Sequence, residues 1–277
     1  MTKTVLGVLD ASQADADLAA AIGYCEANGT HLNAMLVAVA PPPPIGEFTV
    51  VASGGWIQQR EIDTADLAEK MKKARASITR SGISGEVNQI YNELAWLSAD
   101  VGRRALYSDL CLTGPDMLAN ESIRTSVMDG CLFEARKPLL MSRKGHDVAK
   151  KPECIMVAWD SRIEAAQAVH HAIDMLTAAR EVHVVMVDPQ YSDMRSGEEP
   201  GNDIATYLAR HGANVTVDRL TSGGRDIAEV LTQHASDIQT DLIVMGAYSH
   251  SRLRELIFGG VTKSLTDSRP MPLFLAR

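Results

Sequence analysis

Glycines near the end of the chain have the residue type and the spacing of a phosphate-binding loop. An apolar strand-like run ends at Gly246, and a loop of small and basic residues then leads to Gly259 and Gly260, where a helical segment begins. Glycine lets backbone N–H groups approach an anion closely, and the positive end of a helix dipole stabilises negative charge. Residues 241–266 therefore predict an anion site built from peptide groups.

The sequence contains no comparable pattern of catalytic side chains. The sequence has no G-x-x-x-x-G-K-S/T loop, no H-E-x-x-H motif and no G-x-S-x-G motif. Residues 222–226 (SGGRD) are similar to the pyrophosphate loop of ATP-dependent ligases, but they follow a third strand and are interpreted as a helix-opening turn. His170, His171 and Asp174 have metal-ligand residue types, yet a polar helix face is the preferred interpretation. We assign no catalytic and no metal residues, and expect a non-enzyme, with weak ATP hydrolysis left open.

The spacing of the glycine loop resembles that of the universal stress protein family. Nucleotide-binding members of that family carry Gly, two residues, Gly, nine residues, Gly and then Ser or Thr. Here Gly246, Ser249, Gly259 and Gly260 occupy those positions, so the spacing is kept while two of the four residues differ. The resemblance covers nearly the whole chain as two copies and is strongest in residues 153–277.

The resemblance implies an ATP site in the second half, with Mg²⁺ as a possible companion. In the family, the carboxylate that ends the first strand lies near the adenine or ribose, residues after the second strand hold the base, and the glycine loop holds the phosphates. Carried over position by position, the implied nucleotide-binding residues are Asp160, Val187, Asp188, Gly246, Ser249, His250, Ser251, Gly259, Gly260 and Val261.

The two substitutions alter the predicted loop without removing it. Ser249 keeps its N–H and adds a hydroxyl. Gly260 lacks the hydroxyl of the family's Ser or Thr, which we expect to weaken phosphate binding by about 1 kcal/mol. Arg252, Arg254 and Lys263 either neutralise phosphate charge or are simply solvated.

The matching corner of the first half has lost its glycines. Gly114 corresponds to Gly246, but Asp116 follows it, and Val127 and Met128 stand where the glycine pair would recur. Acidic residues in this region disfavour phosphate. We therefore expect at most one nucleotide site per chain, with the first half as a structural partner.

The elements that would position the loop occur twice, at an offset of about 150 residues, as in a duplicated domain. An apolar strand closed by a carboxylate opens each half, at Asp10 and at Asp160. Strands then alternate with helices, which predicts an α/β fold with two tandem doubly wound parallel-sheet domains and ligands at the carboxyl ends of the strands. The resemblance implies the universal stress protein fold, of the adenine nucleotide alpha hydrolase-like type. The predicted domains are 1–145 and 152–277.

Two local predictions concern the helices. Residues 41–60 contain four consecutive prolines and the run Ser53-Gly54-Gly55, and are predicted to be an inserted loop anchored by Trp56, with helix only from about Ile62. A lid or partner-binding arm and a solvent-exposed excursion are equally compatible with it. In the second half, Ser161 with Glu164 predicts a capping box at the start of a helix.

Composition sets the wider limits. The 277 residues suit two domains of about 140 residues, and 45% hydrophobic with 22% charged residues is typical of globular proteins. A net charge of −8 argues against nucleic acid as a partner. The absence of a long apolar run or a signal-peptide layout predicts no membrane contact and a cytoplasmic location. The four cysteines are dispersed along the chain, and we interpret them as reduced side chains that serve as small apolar residues.

Two functional interpretations follow. The leading one is a cytoplasmic stress-response regulatory protein that binds ATP or a related adenine nucleotide in its second half. The alternative is a non-nucleotide-binding, dimerising interaction protein of the same fold; an adenylating enzyme is disfavoured by the missing signature loops. The resemblance also implies that the fifth strands, at 139–141 and 273–275, pair as an intramolecular pseudo-dimer, with a homodimer left open.

Overall fold

A computed structural model describes residues 2–44, 49–189, 199, 201–248, 260–268 and 270–277. The chain forms two compact units. The first unit contains residues 2–137 and 147–149, and the second contains residues 138–146 and 150–277.

The first unit is a parallel sheet with the strand order β3-β2-β1-β4. Its elements in chain order are β1 Thr4–Asp10, α1 Asp15–Asn28, β2 His31–Val39, α2 Thr49–Ser81, β3 Gly85–Asn92, α3 Leu94–Ala105, β4 Leu110–Thr113 and α4 Glu121–Asp129. A 3₁₀ turn at Met117–Ala119 precedes α4, and a π-helical turn at Gly130–Glu134 follows it. The sequence analysis had not predicted α4.

The second unit has the strand order β5-β10-β9-β6-β7-β8. All its pairings are parallel except that of β5 with β10. Its elements are β5 Leu139–Met141, β6 Cys154–Ala158, α5 Ile163–Ala178, β7 Glu181–Val187, α6 Asn202–Arg210, β8 Val215–Leu220, α7 Ile227–Asp237, β9 Leu242–Gly246, α8 Val261–Ser268 and β10 Leu273–Ala276. The predicted α/β class with parallel sheets is confirmed.

Central strands of both units are buried on both faces, as expected for parallel sheets covered by helices. The four cysteines contribute to these cores as buried, free thiols. Among the described residues, no helix combines the length and the apolar character needed to cross a membrane.

The same carboxylate clamp recurs in both units. In the first, Asp109, just before β4, accepts the backbone N–H groups of Lys3 and Thr4 at 2.8 and 3.0 Å. In the second, Asp241, just before β9, accepts those of Glu153 and Cys154 at 2.8 and 3.0 Å. Each clamp fixes the start of the unit's first long strand beside its neighbour, which supports the duplication inferred from sequence.

The inserted loop predicted for residues 41–60 is wrong in its second part, because α2 begins at Thr49. Gly54 and Gly55 lie inside this helix, where cooperative extension from the packed turns overrides their low helix propensity. The predicted anchoring role of Trp56 is confirmed: its indole N–H donates to the Pro41 carbonyl at 3.1 Å. Arg60 lies 4.9 Å from the centre of the same ring.

The predicted capping box is also wrong. The N-cap of α5 is Arg162, whose side chain makes no capping hydrogen bond, and Ser161 has a φ of 60°. Asp160 accepts the backbone N–H of Arg162 at 3.1 Å. This side-chain turn places Ser161 in the left-handed region, so that the helix begins later than the pattern predicts.

Candidate functional site

A cavity of about 240 Å³ lies at the carboxyl ends of three adjacent strands of the second unit, β9, β6 and β7. The chain runs from β6 to β7 on one side and places β9 on the other, so this is the switch point at which such sheets bind ligands. The lining residues are Ala158, Trp159, Asp160, Arg162, Val185, Val187, Ile227, Leu231, Met245, Gly246, Gly260, Val261 and Thr262.

Five of the ten residues implied by the family resemblance line this one cavity: Asp160, Val187, Gly246, Gly260 and Val261. Four others, Ser249, His250, Ser251 and Gly259, lie outside the described residues, as do Arg252 and Arg254.

The tenth residue, Asp188, is engaged elsewhere. Its carboxylate accepts the Ser222 backbone N–H at 3.0 Å, and the Ser222 hydroxyl together with this N–H holds the pKa of Asp188 below its usual value. Asp188 thus ties the end of β7 to the turn that leads into α7.

One wall of the cavity is apolar. Val185 and Val187 contribute from β7, and Ile227 and Leu231 contribute from the first two turns of α7. Ile227 is 40% exposed although it is a large aliphatic residue, which is the property expected at the rim of a site for a flat apolar ring.

The N-terminus of α8 forms another part of the cavity lining. Gly260, Val261 and Thr262 line the cavity at the point where this helix begins, and the Ser264 N–H closes its first turn on the Gly260 carbonyl at 3.0 Å. The first N–H groups of a helix have no intrahelical acceptor and carry partial positive charge. This wall is therefore suited to an anion. The predicted helix after Gly260 is confirmed.

Lys263, on the first turn of α8, was considered as a phosphate-neutralising residue. Its ammonium group lies 3.0 Å from Asp267 in an exposed i,i+4 ion pair.

Gly246 is required by packing. A Cβ atom at this position would lie 2.5 Å from the Ala165 backbone nitrogen and 2.6 Å from the Glu164 carbonyl carbon. The absence of a side chain therefore allows β9 to lie against the first turn of α5, beside the cavity. The sequence analysis had explained this glycine by close approach of an anion; the structure adds close approach of a helix.

Asp160 provides the carboxylate at the end of the first strand of this unit. Its side chain is 48% exposed and lies 3.6 Å from Nε of Arg162. The cavity thus combines an apolar wall, a helix N-terminus and a solvent-accessible carboxylate. These are the parts needed to hold a base, an anionic group and a sugar hydroxyl.

The matching corner of the first unit is occupied by a carboxylate of the protein itself. Asp17 of α1 is 2% exposed and accepts the backbone N–H groups of Met117 at 2.9 Å and Asp116 at 3.3 Å. A Cβ atom on Gly114 would lie 2.1 Å from the Asp17 carboxylate. Burial raises the pKa of Asp17, although the two N–H groups act to lower it. The loop after β4 therefore binds an internal anion.

A cavity of about 330 Å³ also lies in the first unit, beside the start of α1. Lys70 and Lys73 of α2 contribute to its lining, and Lys70 pairs with Asp66 at 2.6 Å. Asp116 lines this cavity, so it presents a carboxylate where the second unit presents a helix N-terminus.

Fold and cavity together define a class: an α/β protein with a mostly parallel sheet and a cavity at a strand switch point, beside a helix N-terminus. Residues 153–277 match the model of the universal stress protein family, and this half of the chain belongs to that family. The match supports a stress-response protein as the coarse functional class. The sequence-based recognition of the family is confirmed.

Solved structures share the fold over the whole chain. A universal stress protein from Archaeoglobus fulgidus DSM 4304 is 15% identical with a TM-score of 0.68, and the alignment covers 99% of this chain and 96% of that one. A functionally unknown protein from Pseudomonas aeruginosa PAO1 is 15% identical with a TM-score of 0.59, covering 99% and 92%. Among curated proteins, no sequence match was found.

Proposed function

We propose that this chain is a stress-response regulatory protein that binds ATP or a related adenine nucleotide in its second unit. The observation that carries the proposal is the convergence of Asp160, Val187, Gly246, Gly260 and Val261 on one cavity at the switch point of the sheet. These residues lie at the ends of three separate strands and at the start of one helix, and the family resemblance assigns all of them to one nucleotide site.

The shape of the cavity suggests how the ligand would lie. At about 240 Å³ it is smaller than the roughly 300–1,000 Å³ typical of small-molecule sites. We propose that the adenosine part packs against Val187 and Ile227, and that the phosphates, with Mg²⁺, extend past Gly260 at the start of α8.

The role proposed for the first unit is structural, because Asp17 already occupies its corner. We assign no catalytic residue and place the protein in the cytoplasm.

Titration calorimetry with ATP and MgCl₂ tests the proposal, with Ile227→Glu as the informative variant. Ile227 is the first residue of α7, where an acidic side chain is favourable for the helix, so the fold should persist. The new charge would stand in the apolar wall and repel the phosphates. We expect a loss of affinity of about tenfold or more, equivalent to roughly 1.4 kcal/mol or more.

The matched control is Ile163→Glu. Ile163 is also an exposed isoleucine at the first position of a helix, α5, but it is not part of the cavity lining. We expect its affinity for ATP to stay within about threefold of the unaltered protein, since the side chain at this position is 75% exposed and solvent and salt screen a charge placed there. Absence of binding heat in the unaltered protein, or equal losses in both variants, would refute the nucleotide proposal and favour the dimerising alternative.

We further propose the pseudo-dimer that the family resemblance implies, with the fifth strands pairing. β5, which belongs to the predicted first domain, pairs antiparallel with β10 inside the second unit, and Phe274 lies opposite Leu140. All residues of both strands are buried, so this pairing is part of a core. Association into a homodimer is left to sedimentation measurements.

A further inference from the structure

Three side chains of the second unit converge on one point away from the nucleotide cavity. Nδ1 of His183 lies 2.8 Å from Oδ2 of Asp218, and Nε2 of His234 lies 3.0 Å from the same oxygen. The three donor atoms all lie within 4.8 Å of one another. The side chains are only 15%, 22% and 18% exposed in the order His183, Asp218, His234, so the cluster is largely withdrawn from solvent.

Regular elements hold each member of this cluster. His183 lies on β7 and Asp218 on the neighbouring strand β8, two residues out of register, because Val185 is the partner of Asp218. His234 reaches the same point from α7, which covers this face of the sheet. Side chains placed by two paired strands and one helix have little freedom, which is the preorganisation that a ligand site needs.

The donor set indicates the chemistry. Two imidazole nitrogens and one carboxylate oxygen are typical ligands of Zn²⁺ and of neighbouring divalent transition metals, whereas Mg²⁺ and Ca²⁺ prefer oxygen alone. Tetrahedral bonds of about 2.0–2.1 Å would separate the donors by roughly 3.3 Å. The observed separations from Oδ2, 2.8 and 3.0 Å, need to open by only a few tenths of an ångström.

We propose that His183, Asp218 and His234 form a binding site for one divalent transition-metal ion, with Zn²⁺ as the reference ion. Three protein ligands leave a fourth position for water or an external ligand. The sequence analysis assigned no metal ligands, because these three residues belong to three separate elements and form no short motif.

A second group shares His183 but suits a metal less well. Donor atoms of Cys154, Glu181 and His183 also lie within 4.8 Å of one another. The Cys154 thiol donates to the Ile238 carbonyl at 3.4 Å. The Glu181 carboxylate is paired with Arg180 at 2.6 Å, and its side chain is 36% exposed, compared with 22% for Asp218. The Asp218 group is therefore the one assigned.

The site would be coupled to the cavity through shared elements. His183 lies on the same face of β7 as Val185 and Val187, and His234 lies one turn beyond Leu231 on α7. Val185, Val187 and Leu231 all line the nucleotide cavity. The metal proposal nevertheless goes beyond the nucleotide proposal and is tested without nucleotide.

The test uses the full chain without a histidine tag, freed of metal with a chelator. Titration calorimetry with ZnCl₂ should give one tight site per chain, and Co²⁺ should give the visible ligand-field bands of a tetrahedral centre. His234→Gln and Asp218→Asn should each weaken Zn²⁺ binding by about 100-fold or more, since even outer-shell changes cost 10–100-fold. Circular dichroism and melting in the presence of the chelator establish that the variants fold.

Two controls make the assignment specific. The double variant His170→Gln/His171→Gln removes two exposed histidines of α5, and Cys154→Ser removes the competing thiol; both should bind Zn²⁺ as the unaltered protein does. The proposal is overturned if the unaltered protein takes up no Zn²⁺, if His234→Gln and Asp218→Asn bind it normally, or if either control abolishes binding. The Co²⁺ spectrum of the unaltered protein tests whether a tetrahedral site exists, and whichever of His234→Gln and Asp218→Asn folds tests which residues form it.

Discussion

The buried Asp17 carboxylate of the first unit leads to a quantitative prediction about Asp17 and Gly114, which are far apart in sequence. The three atoms nearest to a Cβ placed on Gly114 all belong to the Asp17 side chain, the closest at 2.1 Å. Gly114→Ala must therefore displace the carboxylate from the N–H groups of Asp116 and Met117. Asp17→Ala removes the same carboxylate directly. Both single changes should thus destroy one and the same set of hydrogen bonds.

The size of the destabilisation follows from the hydrogen bonds that the Asp17 carboxylate accepts. A hydrogen bond to a charged acceptor contributes about 1.5–3 kcal/mol, and the second bond here is long at 3.3 Å. Burial of the carboxylate, which raises the pKa of Asp17, offsets part of the gain. We expect each single variant to lower the free energy of unfolding by about 2 kcal/mol. The double variant should also lose only about 2 kcal/mol, which gives a coupling energy near −2 kcal/mol.

Tryptophan fluorescence during urea unfolding can follow this unit alone. The chain has three tryptophans, and Trp159 is the one in the second unit. A Trp159→Phe background therefore leaves Trp56 and Trp96 as reporters of the first unit. Asp15→Ala, which removes an exposed carboxylate from the same helix, is the control and should be additive with Gly114→Ala. If the Asp17 and Gly114 effects also add, with a coupling below about 0.5 kcal/mol, the internal-anion account is refuted.

Two further predictions concern stability. Gly246→Ala should destabilise the second unit by about 3 kcal/mol or more, because its Cβ would meet backbone atoms of α5 at 2.5 and 2.6 Å. Gly55→Ala, which has open space around it in α2, should instead stabilise the protein by about 0.5–1 kcal/mol. Chemical denaturation measures both effects, and equal effects would contradict the packing argument. Burial alone would raise the pKa of Asp109, but the N–H groups of Lys3 and Thr4, together with nearby positive charge such as Lys137, lower it. The contribution of Asp109 to the free energy of unfolding is therefore present above its unfolded pKa near 3.8 and is lost as the pH falls through the lower folded pKa. Asp109→Asn should reduce the loss of unfolding free energy at acid pH. An unchanged dependence of this free energy on pH would contradict the account.

The sequence alone determined the alternation of strands and helices and the approximate place of the cavity in the second unit. Alternating apolar strands and helices fix a parallel sheet because few other arrangements bury both faces of such strands. The fifth strands predicted at 139–141 and 273–275 correspond to β5 Leu139–Met141 and β10 Leu273–Ala276. The positions of Asp160, Val187 and Gly246 at strand ends followed from the same reasoning, since parallel strands present their carboxyl ends at one edge.

Tertiary structure decided what individual polar side chains do, because their partners come from elements that no local pattern connects. Asp188 has the sequence position of a base-binding residue, and the fold shows that its carboxylate also accepts the backbone N–H of Ser222. Asp17 resembles any acidic residue at the start of a helix, and only the fold shows that it occupies the corner below Gly114. His183, Asp218 and His234 meet because β7, β8 and α7 pack together, so the candidate metal site is a consequence of packing that the order of residues does not reveal.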